Sequence, residues 1–387
     1  MHNACADDRL PCEAVRARAR AGHRLPCAPS GVRPHTRSDP GWLPTPDRLG
    51  VMAATKTYLT GIQTSGMPHI GNYIGAIKPA LAAAREHDTL YFLADYHSLN
   101  SVKEPEKLRS DIRSVAATWL ACGLDPERTI LYRQSSVPEV FELATILATI
   151  TAKGLMNRAH AYKAARDRNE AAGVADLDAG VNMGLFNYPI LMAADILIME
   201  ADYVPVGRDQ VQHIEYTADI AGSFNHLYGD SYSFPIPKGV FPEGEASVLP
   251  GVDGRKMSKS YDNHIPLFLP ENKLKKLVRR IPTDSTPVEA PKDPDTSVPF
   301  QLLAQFATEE HTAATRKRLE AGGMGWGDLK NELFEVLNTT FGPMRERYEE
   351  LIAPDSDLDD ILEAGAARAR ERAKATVAKV RAAVGID

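Results

Sequence analysis

The amino-acid sequence predicts an α/β protein: a doubly wound parallel sheet carrying a helical insertion, followed by an all-α C-terminal domain. Three observations predict it. Strand-like apolar runs alternate with helical periods between residues 56 and 206, a glycine-rich turn joins the first strand to the first helix, and the strands stop beyond residue 266. Such alternation places helices on both faces of a parallel sheet, with ligand sites at the carboxyl ends of its strands.

Residues 1–51 precede this pattern and differ from it. They hold seven of the 27 prolines and eight arginines against five acidic residues, with almost no periodic apolar positions. That composition cannot repay the entropy of ordering, so a disordered extension is expected. Arg16, Arg18 and Arg20 are spaced as in a targeting peptide, but Asp7, Asp8, Glu13 and the prolines argue against one; Met52 is the preferred alternative initiator.

The expected catalytic domain is 52–265. Residues 57–61 read as the first strand and 71–86 as a helix, with TGIQTSGMPHIGN at 60–72 between them. Gly61, Gly66 and Gly71 let the backbone approach a ligand closely, and the first N–H groups of the helix face an anion. His69 and Asn72 bracket the turn as hydrogen-bond donors for phosphoryl oxygens. A second strand at 90–94 ends in Asp95, Tyr96 and His97. Glu104, Pro105 and Glu106 open the next helix, which ends near Cys122 and Gly123, and 129–133 is a third strand. Residues 137–200 are mainly helical. They contain the insertion, about 137–185, interrupted by a charged, glycine- and alanine-rich segment at 166–180 that reads as a mobile loop. The chain returns to the sheet at 203–206, and GRDQ at 207–210 starts another helix.

KMSKS at 256–260 lies in a polar segment, 251–263, with Gly251 and Gly254 and no apolar periodicity; a loop displaying Lys256 and Lys259 is expected. Helices at 270–280, 297–307, 311–320, 327–352 and 358–384 make up the domain 266–387. It carries two basic groups, Lys273, Lys275, Lys276, Arg279 and Arg280, and Arg368, Arg370, Arg372, Lys374, Lys379 and Arg381. Charge runs on helices are usually solvated faces.

Composition narrows the function. The net charge of −6 excludes nucleic-acid binding by bulk positive charge, leaving only local patches. No apolar run reaches the eighteen or so residues a membrane span needs. Cys5, Cys12, Cys27 and Cys122 form neither a zinc-type cluster nor a disulfide framework, and Cys122 reads as a buried thiol at a helix end. On the helix containing NYPILMAADIL at 187–197, Tyr188, Met192 and Asp195 share one face. A carboxylate in that apolar stripe is costly unless it meets a donor, which is either a ligand N–H or a lysine or arginine elsewhere in the chain.

HIGN and KMSKS resemble the HIGH and KMSKS signatures of class I aminoacyl-tRNA synthetases. With TGIQTSG, LMAADIL and VPVGRDQVQHIE, in order and spacing, residues 55–385 are similar to the tryptophanyl-tRNA synthetases of that class. The resemblance implies a Rossmann-like catalytic sheet, a C-terminal domain that holds the anticodon, and tRNA(Trp), L-tryptophan and ATP as partners. It also implies magnesium travelling with ATP, a homodimer and a cytoplasmic location. The basic helix residues then become candidates for tRNA backbone contact.

Carried over residue by residue, the resemblance assigns ATP to Thr60, Gln63, Gly71, Asn72, Gly207, Asp209 and the loop residues Lys256, Met257, Ser258, Lys259 and Ser260. Gly207 and Asp209 meet the ribose, Gln63 reaches toward the activated carboxylate, and Lys163 approaches the phosphates from the insertion. Met192 packs on the indole, Asp195 accepts its N–H, His97 lies beside the ring, and Tyr188 and Gln210 contact the ammonium group. Catalysis falls to His69, Asn72, Lys256 and Lys259. Asparagine at the end of HIGN is usual in this family. Leu59 stands where some members have phenylalanine, and Arg208 replaces a common acidic residue.

Three rivals remain. A tyrosyl-tRNA synthetase tends to carry glutamine in place of Met192. A small-molecule nucleotidyltransferase has no need of the C-terminal helices. A synthetase-like binding protein has no need of intact His69, Asp195, Lys256 and Lys259.

Overall fold

Five strands form the sheet: β1 (Thr57–Ile62), β2 (Asp88–Leu93), β3 (Ile130–Arg133), β4 (Tyr203–Pro205) and β5 (Lys238–Val240). Their order is β3-β2-β1-β4-β5, and every neighbouring pair is parallel. The chain builds outward from β1 on one side and then crosses to β4 on the other. The gap beyond the carboxyl ends of β1 and β4 is therefore the topological switch point, where ligands of such sheets bind. β5 has no counterpart in the sequence reading, because the three residues Lys-Gly-Val are too short to show a period.

This computed structural model describes residues 56–64, 66–207, 210–240 and 249–386, all within one compact unit, Pro40–Asp387. The expectations for residues 1–51, and for Arg208 and Asp209, lie outside the described residues.

After β1 come α1 (Ile70–Asn72), a π-helical turn (Tyr73–Ile77) and α2 (Lys78–Ala83). The single helix expected at 71–86 is thus divided: the Lys78 N–H reaches the carbonyl of Tyr73, and Pro79 has no N–H with which to extend the ordinary ladder. Next are α3 (Asp95–Ser98), α4 (Pro105–Ala121), α5 (Glu139–Ile150), α6 (Lys153–Met156), α7 (His160–Ala171), α8 (Met183–Ile198) and α9 (Val211–Tyr228). α7 continues through Ala171, well into the segment read as an interruption. The residues after it are tied back to the helix: Asn169 Nδ2 donates to the Leu177 and Ala179 carbonyls at 2.8 and 2.9 Å, and the Tyr162 hydroxyl donates to Asp178 at 2.8 Å.

The remaining described elements are helical: α10 (Glu271–Arg279), α11 (Val298–Phe306), α12 (Glu309–Ala321), α13 (Trp326–Ile352) and α14 (Leu358–Val384). Both sheet faces are covered, which is why the strands read as continuous apolar runs. Tyr91, Leu93 and Leu131 point into a core shared with α4, α10, α11 and α13, whereas Leu90, Phe92, Ile130 and Tyr132 point into one shared with α5, α8, α9 and α14.

α14 lies against β3, an edge strand, and so protects the open edge. A Cβ at Gly365 would fall 1.9 Å from the Leu131 carbonyl oxygen, so only glycine permits this approach. The basic run on α14 is largely spent on this docking. Arg370 pairs with Glu139, Arg372 with Asp88, Lys379 with Glu200 and Arg381 with Glu142, while Arg368 donates to the carbonyls of Pro126 and Thr129. These residues help anchor the last helix while Arg368, Lys379 and Arg381 stay exposed at its surface.

Candidate active site

The candidate phosphate cradle, the HIGN turn, follows directly from β1. Gly66 turns the chain at φ +77°, a left-handed conformation that favours glycine, and the chain enters α1 at His69. His69 and Asn72 cap each other: the Asn72 N–H donates to His69 Nδ1 at 3.3 Å, and Asn72 Oδ1 accepts from the His69 N–H at 3.0 Å. This reciprocal box fixes the chemistry of both side chains. With Nδ1 occupied as an acceptor, the neutral imidazole carries its proton on Nε2, and the Asn72 amide keeps its NH2 as a donor. Burial pushes the His69 pKa down to about 4, helped by nearby His264 and Lys259, so the ring is neutral near pH 7.

KMSKS reaches the same place. His69 and Pro266 form an antiparallel bridge, with Ile70 N donating to Ile265 O and Leu267 N to Pro68 O, both at 3.0 Å. Met257 is buried, and a Cβ on Gly71 would lie 3.6 Å from its sulfur and 3.0 Å from the His69 ring. Lys259 Nζ donates to the Gly66 carbonyl at 3.3 Å; burial lowers its pKa, with Asp111 opposing and Lys107 adding to the shift. Ser258 caps the short 3-10 turn Lys259–Tyr261, its hydroxyl 2.7 Å from that of Ser260. Lys256 is exposed on the loop.

The loop owes its shape to Asn263, a residue the motif reading passed over. Its side chain is buried; Oδ1 accepts from the Ser258 N–H at 2.8 Å, and Nδ2 donates to Asp253 at 2.7 Å and to the Lys256 carbonyl at 3.1 Å. One amide therefore ties both halves of KMSKS to the segment before it. The sequence offered a faint signal, an Asp-Asn pair just beyond the motif, where Asp262 adopts φ +51°.

Across the switch point, Asp195 is fully buried on α8 and meets no arginine or lysine among the described residues. His97 Nε2 lies 3.0 Å from Oδ2, and Gln134 Nε2 lies 3.0 Å from Oδ1 and 2.8 Å from Oδ2. Burial raises its pKa, while His97 and Gln134 work against that rise. The Tyr188 ring stands edge-on to His97 and to His213, whose Nε2 is 3.0 Å from the Tyr188 hydroxyl; burial pushes the Tyr188 pKa up to about 12. Met192 is half-buried in the turn before Asp195. Asp195, His97, Tyr188 and Met192 are thus gathered along α8 and the end of β2.

The other expected residues are more dispersed. Thr60 is half-buried and Gln63 exposed at the end of β1, while Gly207 and Gln210 precede α9. Lys163 lies on α7 in an open depression of about 520 Å³ with Arg158, His160, Arg166 and Gln212. The His160 N–H donates to Gln212 at 3.0 Å, which ties the start of α7 to the start of α9. Cys122 sits at the C-terminus of α4, where burial pushes its thiol up to about 12.

A 3-2-1-4-5 parallel sheet with HIGN at its switch point, bridged to a KMSKS loop, defines a class I aminoacyl-tRNA synthetase. Residues 53–342 match the family model of tRNA synthetases class I (W and Y). The chain is 53% identical to a tryptophan–tRNA ligase of Pseudomonas aeruginosa, over 86% of this chain and 74% of that protein. It is 51% identical to one from Neisseria meningitidis, over 86% of this chain and 98% of the relative. The crystal structure of tryptophanyl-tRNA synthetase from Campylobacter jejuni complexed with ADP and tryptophan superposes with a TM-score of 0.77 at 41% identity, covering 85% of this chain and 99% of the other. The chain belongs to the tryptophanyl-tRNA synthetases of class I.

Proposed function

We propose that the two halves of this site divide the work of a tryptophan–tRNA ligase, Asp195 with Met192 selecting L-tryptophan and the HIGN–KMSKS pair activating it with ATP. The tryptophan carboxylate attacks the α-phosphorus, the bond to the bridging oxygen breaks, and pyrophosphate leaves. The terminal ribose hydroxyl of tRNA(Trp) then attacks the adenylate carbonyl and releases AMP. No protein nucleophile is needed, and the residues act by positioning and electrostatic stabilisation.

His69 Nε2–H and the Asn72 amide donate to the phosphoryl oxygens, Lys256 and Lys259 carry charge to the pyrophosphate, and Met257, Ser258 and Ser260 shape the loop that delivers it. Thr60, Gln63 and Gly71 line the ATP side, Gly207 and Asp209 take the ribose, and Lys163 approaches the phosphates from α7. His97 flanks the indole, while Tyr188 and Gln210 meet the ammonium group. Among the described residues no cluster of His, Cys, Asp or Glu could cage a metal ion, so magnesium would enter on the triphosphate oxygens, and no step here is assigned to it.

Residues 52–265 form the catalytic domain and 266–387 the helical domain that meets tRNA. Exposed Lys273, Lys276, Arg279 and Arg280 on α10 suit a phosphate backbone better than α14, whose charges are paired internally. The reading carries a cytoplasmic homodimer. No described helix is long and apolar enough to cross a membrane.

The observation that carries the substrate reading is a buried Asp195 held by Gln134 and His97, one turn from Met192, with no arginine or lysine against it among the described residues. ATP–pyrophosphate exchange with tryptophan and with tyrosine tests it. Exchange with tryptophan alone is expected; exchange with tyrosine alone reassigns the substrate, and none with either indicates a binding protein.

A further inference from the structure

Asp195 is one half of the tryptophan-recognition device; the other half is a residue that no motif marks. Gln134 opens the short turn (Gln134–Ser136) directly after β3 and is 1% exposed. Its orientation is fixed from behind. The Tyr96 N–H donates to Gln134 Oε1 at 3.1 Å, so the carboxamide NH2 must face the other way, onto Asp195. Tyr96 is held in turn, because its N–H also donates to Asp95 Oδ1 at 3.0 Å, and that oxygen accepts the Ser135 N–H at 3.0 Å. The end of β2 and the end of β3 are thereby locked to each other around the amide.

The consequence follows from counting lone pairs. An ionised carboxylate offers about four acceptor positions, two on each oxygen. A single Gln134 N–H straddles both oxygens, closer to Oδ2, and His97 faces Oδ2 as well; Oδ1 meets only its share of the Gln134 N–H and keeps an acceptor position. We propose that Gln134 is a positioning residue for substrate selection: it turns the Asp195 carboxylate so that one Oδ1 lone pair is left for the indole N–H, and it keeps that oxygen an acceptor. This rests on the tryptophan reading above and adds to it the source of the acceptor state. A protonated Asp195 would present an O–H to the substrate N–H, donor against donor. A ligand of indole shape without the N–H would leave the acceptor unpaired in a dry site.

The groups that bear on the charge of Asp195 are two residues of α3, His97, which favours the anion, and Asp95, which opposes it, together with Gln134 itself; Tyr132 on β3 also faces the carboxylate and stays protonated beside it. An acid whose pKa is raised is ionised above that pKa and loses its charge as pH falls through it. Removing the Gln134 donor raises the pKa further, so the charge is lost at a higher pH.

The test measures ATP–pyrophosphate exchange with the full chain, for the native protein and for Gln134→Met and Gln134→Glu. Met keeps the bulk, and Glu keeps the shape while replacing a donor by an acceptor. Each protein is assayed with tryptophan and with β-(benzothiophen-3-yl)alanine, which replaces the N–H by sulfur. The expected result is a KM for tryptophan raised by roughly tenfold or more in both variants, a KM for ATP within about twofold of native, and a reduced preference for tryptophan over the sulfur analogue. In Gln134→Met the acid limb of kcat/KM for tryptophan also moves to higher pH.

Native exchange with tryptophan joined to an unmoved acid limb, an unchanged preference, or equal losses for tryptophan and ATP would overturn the role of Gln134 and leave the enzyme reading standing. Absence of native exchange with tryptophan removes both. Should one variant fail to fold, the other reports the KM split and the analogue preference.

Discussion

Replacing Asn263 by alanine is expected to slow amino-acid activation without unfolding the protein. The substitution removes three hydrogen bonds, from the Ser258 N–H and to Asp253 and the Lys256 carbonyl. At about 0.5–1.5 kcal/mol net for each, the loop loses about 2–4 kcal/mol of ordering free energy. All three partners lie within 253–258, and the backbone bond from Val252 N to Asn263 O survives, so the loss falls on the loop rather than on the core. If the ordered loop is what brings Lys256 and Lys259 to the pyrophosphate, a deficit of that size slows adenylate formation by about 10- to 10³-fold. Single-turnover formation of the adenylate, at saturating tryptophan and varied ATP, measures it. A slower step with tryptophan affinity intact is expected. A folded Asn263→Ala protein that forms adenylate at the native rate would refute the reasoning, because the loop would then need no such tie.

Four further outcomes are expected. Asp195→Ala weakens tryptophan binding by about 1–3 kcal/mol and ATP binding far less, because of the two substrates tryptophan alone loses a contact; equal losses by calorimetric titration would contradict the assignment. Lys259→Ala slows activation by about 10²-fold with tryptophan affinity nearly unchanged, and a native single-turnover rate would refute its role. The depressed pKa of His69 bears on stability: the unfolded chain takes up a proton near pH 6.5 that the folded ring refuses until about pH 4. Its contribution is therefore intact above pH 6.5 and lost as pH falls toward 4, and a His69→Asn variant should show a shallower decline of Tm over that window. Deleting residues 1–51 should leave exchange unchanged, and a collapse in rate would make them part of the enzyme.

The fold was legible where burial writes a period and illegible where contact is made by single groups. The first four strands and the long C-terminal helices came from periodicity, because both sheet faces and each helix stripe meet a core. β5 was too short to register, and the docking of α14 on β3 depends on Gly365 and on charge partners scattered from Asp88 to Glu200, a relation no local window contains. The site divides in the same way. His69, Asn72, Asp195 and the KMSKS lysines stood out through motif and resemblance, and the structure ties the HIGN turn by backbone bonds to the segment that follows KMSKS, at Ile265 and Leu267. Gln134 and Asn263 did not stand out, since a lone amide after a strand or in a loop looks like any polar residue. Their position is the missed signal: Gln134 stands at the carboxyl end of a parallel strand, where the switch-point rule already directs attention.

The distribution of charge in the cradle bears on how activation is controlled. The part fixed to the sheet offers neutral donors only, because burial keeps His69 unprotonated and Asn72 carries no charge. Formal positive charge arrives on the KMSKS segment, through Lys256 and Lys259. A buried cationic site would repel itself in the absence of substrate, and the lowered pKa of Lys259 shows that even one ammonium group near the cradle meets a desolvation cost. Dividing the cradle into a neutral fixed half and a cationic loop avoids it, and makes the electrostatic contribution to the transition state depend on where the loop sits. In the proposed reaction the Asn263 amide, which ties the loop, therefore acts on reactivity without touching a phosphate. In the proposed reaction the two amides play parallel parts, Gln134 orienting the Asp195 carboxylate and Asn263 holding the backbone of the KMSKS segment.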